Sequence, residues 1–100
     1  MTTLLPEKDH EETVPVTFNF TLELGAATIS GTPTVDVSVT TGNDPTPAAI
    51  KQGTATVAAG VATQWVTAGR PGVTYHLRCK AQTSDNRTLV IPVDLPVVRA

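Results

Sequence analysis

Apolar residues recur at every second position through two long stretches of this chain, and that spacing admits one local structure. Val14, Val16, Phe18, Phe20, Leu22 and Leu24 alternate with Pro15, Thr17, Asn19, Thr21 and Glu23. Val73, Tyr75, Leu77, Cys79 and Ala81 alternate with Thr74, His76, Arg78 and Lys80. Successive side chains of a strand point to opposite faces, so a period of two marks a half-buried strand. A helix would need apolar residues three and four apart. Val and Thr are the commonest residues, and branching at Cβ suits a pleated surface better than a helix. Eight prolines and seven glycines cut the chain into pieces too short for helices of ordinary length.

The same reading places strands over Thr13 to Leu24, Thr28 to Ser30, Pro33 to Thr41, Thr54 to Ala58, Val61 to Val66, Val73 to Ala81 and Thr88 to Val98. Ala48 to Gln52 reads as a further short strand or one helical turn. Pro15 puts the start of the first strand at an edge or a bend, and Pro92 and Pro96 keep part of the last out of a central ladder. Seven or eight strands in 100 residues predict an all-β, two-sheet antiparallel sandwich. Residues 13–100 form that domain, and residues 1–12 form an acidic N-terminal arm. Phe18, Phe20, Trp65, Tyr75, Leu77, Ile91 and Val93 are its expected core.

Charge and motif content narrow the function. Seven Lys and Arg stand against nine Asp and Glu, for a net charge of −2, which is no basis for binding nucleic acid. No apolar run reaches the length of a membrane span, and the acid-rich start does not read as a signal peptide. The expectation is therefore a protein made in a cytoplasm. Two sequons, at Asn19 and Asn86, then match by chance, and Asn86 reads as a turn residue. Cys79 is the one cysteine, so no internal disulfide forms; it falls on the apolar face as an inert thiol. His10 and His76 are the only histidines, and His76 stands in register with Arg78 and Lys80, a poor setting for a metal. Nucleophile, base and orienting group do not come together, so neither catalytic residues nor cofactors are expected.

Recognition surfaces are what remain. Glu7, Asp9, Glu11 and Glu12 make the arm acidic. His76, Arg78 and Lys80 make a basic stripe of complementary sign, which suggests an arm-to-stripe contact between subunits. The loop from Thr41 to Gln52, with Asp44, Pro45 and Pro47, is long, polar and stiffened by proline. The Pro92/Pro96 strand is a further contact surface.

Two stretches together resemble the phage fiber-tail adaptor family. They are the opening strand from Asp9 to Leu24, with its Val16-Thr17-Phe18-Asn19-Phe20-Thr21-Leu22, and the run from Ala68 to Leu77 that continues to the hairpin from Thr83 to Thr88. Gln64-Trp65-Val66 is similar to the family's Trp-bearing strand; Phe20 stands where Trp is more common, and Asn86 where Gly is usual. The resemblance spans roughly Lys8 to Val98. It implies an immunoglobulin-like virion protein of a tailed bacteriophage, assembled in the host cytoplasm. It also implies tail, portal-side or fibre proteins as partners, copies of the chain arranged by virion symmetry, and no catalytic residue. A capsid decoration or head-completion protein would use the same fold. A carbohydrate-binding module would need exposed aromatics, and all four aromatic side chains are expected on apolar faces.

Overall fold

The computed structural model describes residues 3–99. Its strands are β1 (Thr3–Leu4), β2 (Lys8–Asp9), β3 (Thr13–Asn19), β4 (Ile29–Thr41), β5 (Lys51–Ala58), β6 (Val61–Thr67), β7 (Thr74–Thr83) and β8 (Thr88–Val98). A single helical turn, α1 (Thr21–Leu24), follows β3, and a 3-10 turn (Pro47–Ile50) precedes β5. One sheet runs in the order β1-β8-β7-β4, with β2 continuing the β1 edge; the other runs β3-β6-β5. Counting β1 and β2 as one edge, seven strands form the sandwich. The order is that of immunoglobulin domains, in which the third, sixth and seventh strands of the fold share a sheet. Among the described residues, no helix is long and apolar enough to cross a membrane.

The core follows the alternation. Val16 and Phe18 of β3, Tyr75, Leu77 and Cys79 of β7, and Val93, Leu95 and Val97 of β8 are all buried between the sheets. A buried side chain of this size contributes roughly 1.5–3 kcal/mol. Burial pushes the Cys79 thiol up to about 11, in keeping with an inert role.

Four expectations change. The first strand stops at Asn19 instead of running to Leu24. The Asn19 carboxamide oxygen accepts from Thr21 N at 3.0 Å and from Thr21 Oγ1 at 2.7 Å, which turns the chain into α1. Phe20 and Leu24, four apart, stay buried in either geometry, but Leu22 leaves the core and is 93% exposed.

The two pieces expected at Thr28 to Ser30 and Pro33 to Thr41 are one strand, β4, whose register slips between Ser30 and Thr34. Gly31, at φ +74°, takes up the slip.

The third change concerns β8, which is interior to its sheet despite Pro92 and Pro96. Val97 N donates to Val73 O, so Pro96, one residue earlier opposite Thr74, turns its nitrogen away from β7. Pro92, four residues back opposite Arg78, does the same. Both missing N–H groups therefore face the N-terminal arm. The arm pairs in parallel with β8 at Val93–Asp94 and again at Val97–Val98, and its ladder breaks between. The last bond before the break is Leu5 N to Asp94 O, 2.8 Å.

The fourth change is the largest. Trp65 is not in the core; it is 45% exposed. The inward positions of β6 are Ala62, Gln64 and Val66. Gln64 is buried because its amide donates to Gln52 O, Gly53 O and Trp65 O at 2.9 to 3.3 Å. The Gln52 and Gly53 carbonyls are presented where the β5 register slips between Gln52 and Thr56, and the Trp65 carbonyl belongs to β6 itself. A satisfied polar group takes the inner site and Trp65 goes outside. Ile91, also expected in the core, is only half-buried against it.

Candidate docking surfaces

Tyr75 organises one end of the sandwich. Its hydroxyl donates to Asp44 Oδ2 at 2.6 Å and accepts from Arg70 N at 2.8 Å. The second bond is that of a tyrosine corner, in which a Tyr near the start of a strand ties back to backbone upstream. Asp44 Oδ1 also accepts from Thr46 N, 3.0 Å, and Arg70 Nη1 donates to Asn43 O, 3.4 Å. The Asp44 side chain is 8% exposed. The Tyr75 hydroxyl, helped by the Thr46 N–H, holds its carboxyl below the usual 3.8 against the opposing effect of burial. Burial, then the bond to Asp44, pushes the Tyr75 phenol up. Gly69, at φ +99°, lets the turn close over this ring: a Cβ there would lie 3.3 Å from Tyr75 Cε2 and 3.1 Å from Val97 Cγ2. The loop of Asp44, Pro45 and Pro47 is thus latched to the turn before β7. Asp44 faces inward, Pro45 is exposed and Pro47 half-buried.

The N-terminal arm lies along β8 of its own chain. Lys8 anchors it: its side chain is buried, and its ammonium donates to Asp9 O and Ala68 O, both at 2.7 Å. Burial lowers the Lys8 pKa, with Glu12 and Asp9 opposing. Beyond it the chain turns tightly. Glu12 Oε1 accepts from Asp9 N at 2.8 Å, and Asp9 Oδ2 from Glu11 N at 2.9 Å. Glu7, Glu11 and Glu12 are exposed and Asp9 is half-buried. Asp9, His10 and Glu11 bring one ligand atom each within 4.8 Å, but they are consecutive residues on this surface turn, and Asp9 is already used to close it.

The basic stripe lies on the outer face of the larger sheet. His76 Nδ1 is 2.8 Å from Asp94 Oδ1, so that end is internally paired. Arg78, opposite Asp36, and Lys80, opposite Thr34, are exposed. In the chain itself β8 separates the stripe from the arm.

The other sheet presents a different outer face. Its paired outward positions are Thr13, Pro15, Thr17 and Asn19 of β3, Val61, Thr63, Trp65 and Thr67 of β6, and Gln52, Thr56 and Ala58 of β5. None carries a charge. Trp65 stands in the middle strand, with Pro15 on one side and Gln52 on the other. Sequence reasoning missed this surface by placing Trp65 on an apolar face, in the core. It also missed Arg87. That guanidinium donates from Nε to Asp85 Oδ2 at 2.9 Å and from Nη1 to Glu23 O at 2.9 Å, at the carbonyl end of α1. Thr83 bonds to Asp85 and accepts from Arg87 N, and Asn86 sits at φ +65°, the left-handed turn expected of it.

Residues 8–96 match the family described as Podophage GP4 fiber-tail adaptor protein gp77. The chain belongs to that family. The match covers both sheets, the Asp44–Tyr75 latch, the Arg87 hairpin and the neutral face. No curated protein and no solved structure matches. Family membership makes the protein a structural adaptor of the bacteriophage particle, with its place in the virion and other tail or fibre proteins as its partners. In this adaptor the latch and the Arg87 hairpin fix loops to the sandwich, while Trp65 is half-exposed among neutral neighbours.

Proposed function

We propose that the protein is a non-enzymatic connector that joins the tail or neck of the phage to its fibre. The observation that carries the reading is a rigid sandwich with two chemically different outer faces, set in a family of fiber-tail adaptors. The neutral face around Trp65 is the docking face. Exposed Trp residues ringed by uncharged neighbours are where protein interfaces concentrate their energy. Three strands at about 4.8 Å spacing and seven residues at about 3.3 Å give a face of roughly 300 Å². That is well below the ~800 Å² per partner of a stable pairwise interface. Repetition of the contact around a symmetric tail, several copies per particle, supplies the rest as avidity. The face holds nothing that would act as nucleophile or base.

The test is a phage carrying a null allele of this gene. Electron micrographs should show filled heads and tails without fibres. Particles that keep normal fibres would rule out the connector role.

A further inference from the structure

β3 is an edge strand: it pairs with β6 alone. Its free edge borders a groove of about 300 Å³, with Leu5 to Lys8 of the arm on the opposite wall. Val16 and Leu95 form its apolar floor, and Glu7 and Glu12, both exposed, stand at its rim. Lys8, which also lines it, is committed to two backbone carbonyls.

The register says which backbone groups point into this groove. Phe20 N donates to Gly60 O, one step beyond the Asn19–Val61 pair. In an antiparallel ladder that makes Asn19 a position without bonds to its partner, and Thr17 and Pro15, two and four residues back, share the property. Thr17 therefore turns both its N–H and its C=O toward the groove, and Pro15 turns its C=O. Pro15 has no N–H to offer and Asn19 is not among the groove's lining residues, so of the β3 residues lining the groove it is Thr17 that presents both groups.

We infer that the free edge of β3 accepts an extended strand from a partner protein of the virion, one carrying aliphatic residues beside a Lys or Arg. Thr17 supplies the pair of backbone bonds, the floor takes the aliphatic side chains, and Glu7 and Glu12 meet the cation. The site adjoins the neutral face, because Pro15 and Thr17 belong to both. The inference rests on the connector reading and specifies how the partner is held.

Thr17→Pro tests it. Proline there removes the outward N–H and leaves the β3–β6 ladder intact, as Pro15 already does. The null phage is complemented with the wild-type gene, with Thr17→Pro, or with the double variant Glu7→Lys/Glu12→Lys. Fibres are counted per particle, and the urea midpoint of each purified protein is measured beside them. Thr17→Pro should keep its midpoint and lower fibre occupancy at least tenfold; the double variant should lower it less, and chiefly at low salt. Should the midpoint fall instead, Thr17→N-methyl-threonine in semisynthetic protein removes the same N–H without the ring. Full occupancy with a variant whose midpoint is unchanged overturns the strand-addition site while leaving the connector role standing. Fibres on the null particles themselves would overturn the connector role. Loss of self-association by Thr17→Pro, with fibres retained, would mean that a second copy occupies the edge and would equally overturn the inference.

Discussion

The two outer faces of the sandwich are built from the same alternation and end up opposite in chemistry. On the larger sheet the outward residues of β7 are His76, Arg78 and Lys80, answered across the strands by Asp94 and Asp36. On the smaller sheet the outward set is threonine, asparagine and glutamine with Pro15, Val61 and Ala58 around Trp65, without a charge. A charged face keeps its water, since removing ions from solvent costs more than most contacts return. A neutral face with one large aromatic sheds water cheaply. The difference teaches that position in the alternation determines only whether a side chain points in or out. The composition of the outward set decides whether that side stays in solvent or is covered.

The widest separation between the faces should come from their aromatics. Tyr75, inward on the larger sheet, is fully buried. Tyr75→Ala should cost about 3–5 kcal/mol in urea unfolding. Equal losses in Tyr75→Ala and Trp65→Ala would erase the distinction between the two aromatics.

Tyr75→Phe is milder and more specific. It leaves Asp44 Oδ2 and Arg70 N without their partner, a loss of about 1–3 kcal/mol at neutral pH. The sign of its pH dependence follows from Asp44. A carboxyl held below its ordinary 3.8 stabilises the fold above that pH and loses the effect as pH falls through its folded value. The gap between wild type and Tyr75→Phe should therefore be full above pH 3.8 and narrow below it. A gap that widens in acid would contradict the latch.

Trp65→Ala should cost about 1 kcal/mol or less in stability, because half the ring is already in water. Its effect belongs to attachment: complemented particles should lose fibres, equally at about 0.1 M and 1 M salt, since no charge is screened. Attachment that collapses in high salt would move the docking surface to the charged face.

The smallest effect is expected from Arg78→Glu/Lys80→Glu, within about 0.5 kcal/mol in stability and without change in fibre occupancy. A loss of fibres in this variant would make the basic stripe the contact.

Much of the fold was legible from period-two spacing, because strand faces follow directly from it. Phe18, Tyr75, Leu77 and Val93 are buried where the spacing places them. Leu22 misled because Phe20 and Leu24 fit a strand and a helical turn alike; only the side-chain bond of Asn19 separates the two. Trp65 misled because β6 offers a mixed set on both sides. The deciding fact, the Gln52 and Gly53 carbonyls waiting for the Gln64 amide, arises from a register slip in a neighbouring strand. Lys8 was hidden among acids, and its burial depends on Ala68, sixty residues away. Arg87, by contrast, was present in a family-like hairpin, and its grip on α1 could be seen only once that turn existed.

The parallel run of the arm along β8 has a mechanical meaning. Tension that draws the start of the arm and the end of β8 apart acts along the strands, so the bonds at Val93–Asp94 and Val97–Val98 are loaded in shear rather than peeled one by one. Resistance to such pulling is set by the rate of unfolding under load rather than by equilibrium stability. The ammonium of Lys8, bonded to Ala68 O, shares that load with the turn before β7, which is itself tied to Tyr75 and Asp44. On the connector reading, a part that holds a fibre is thereby braced from its edge strand through to its core.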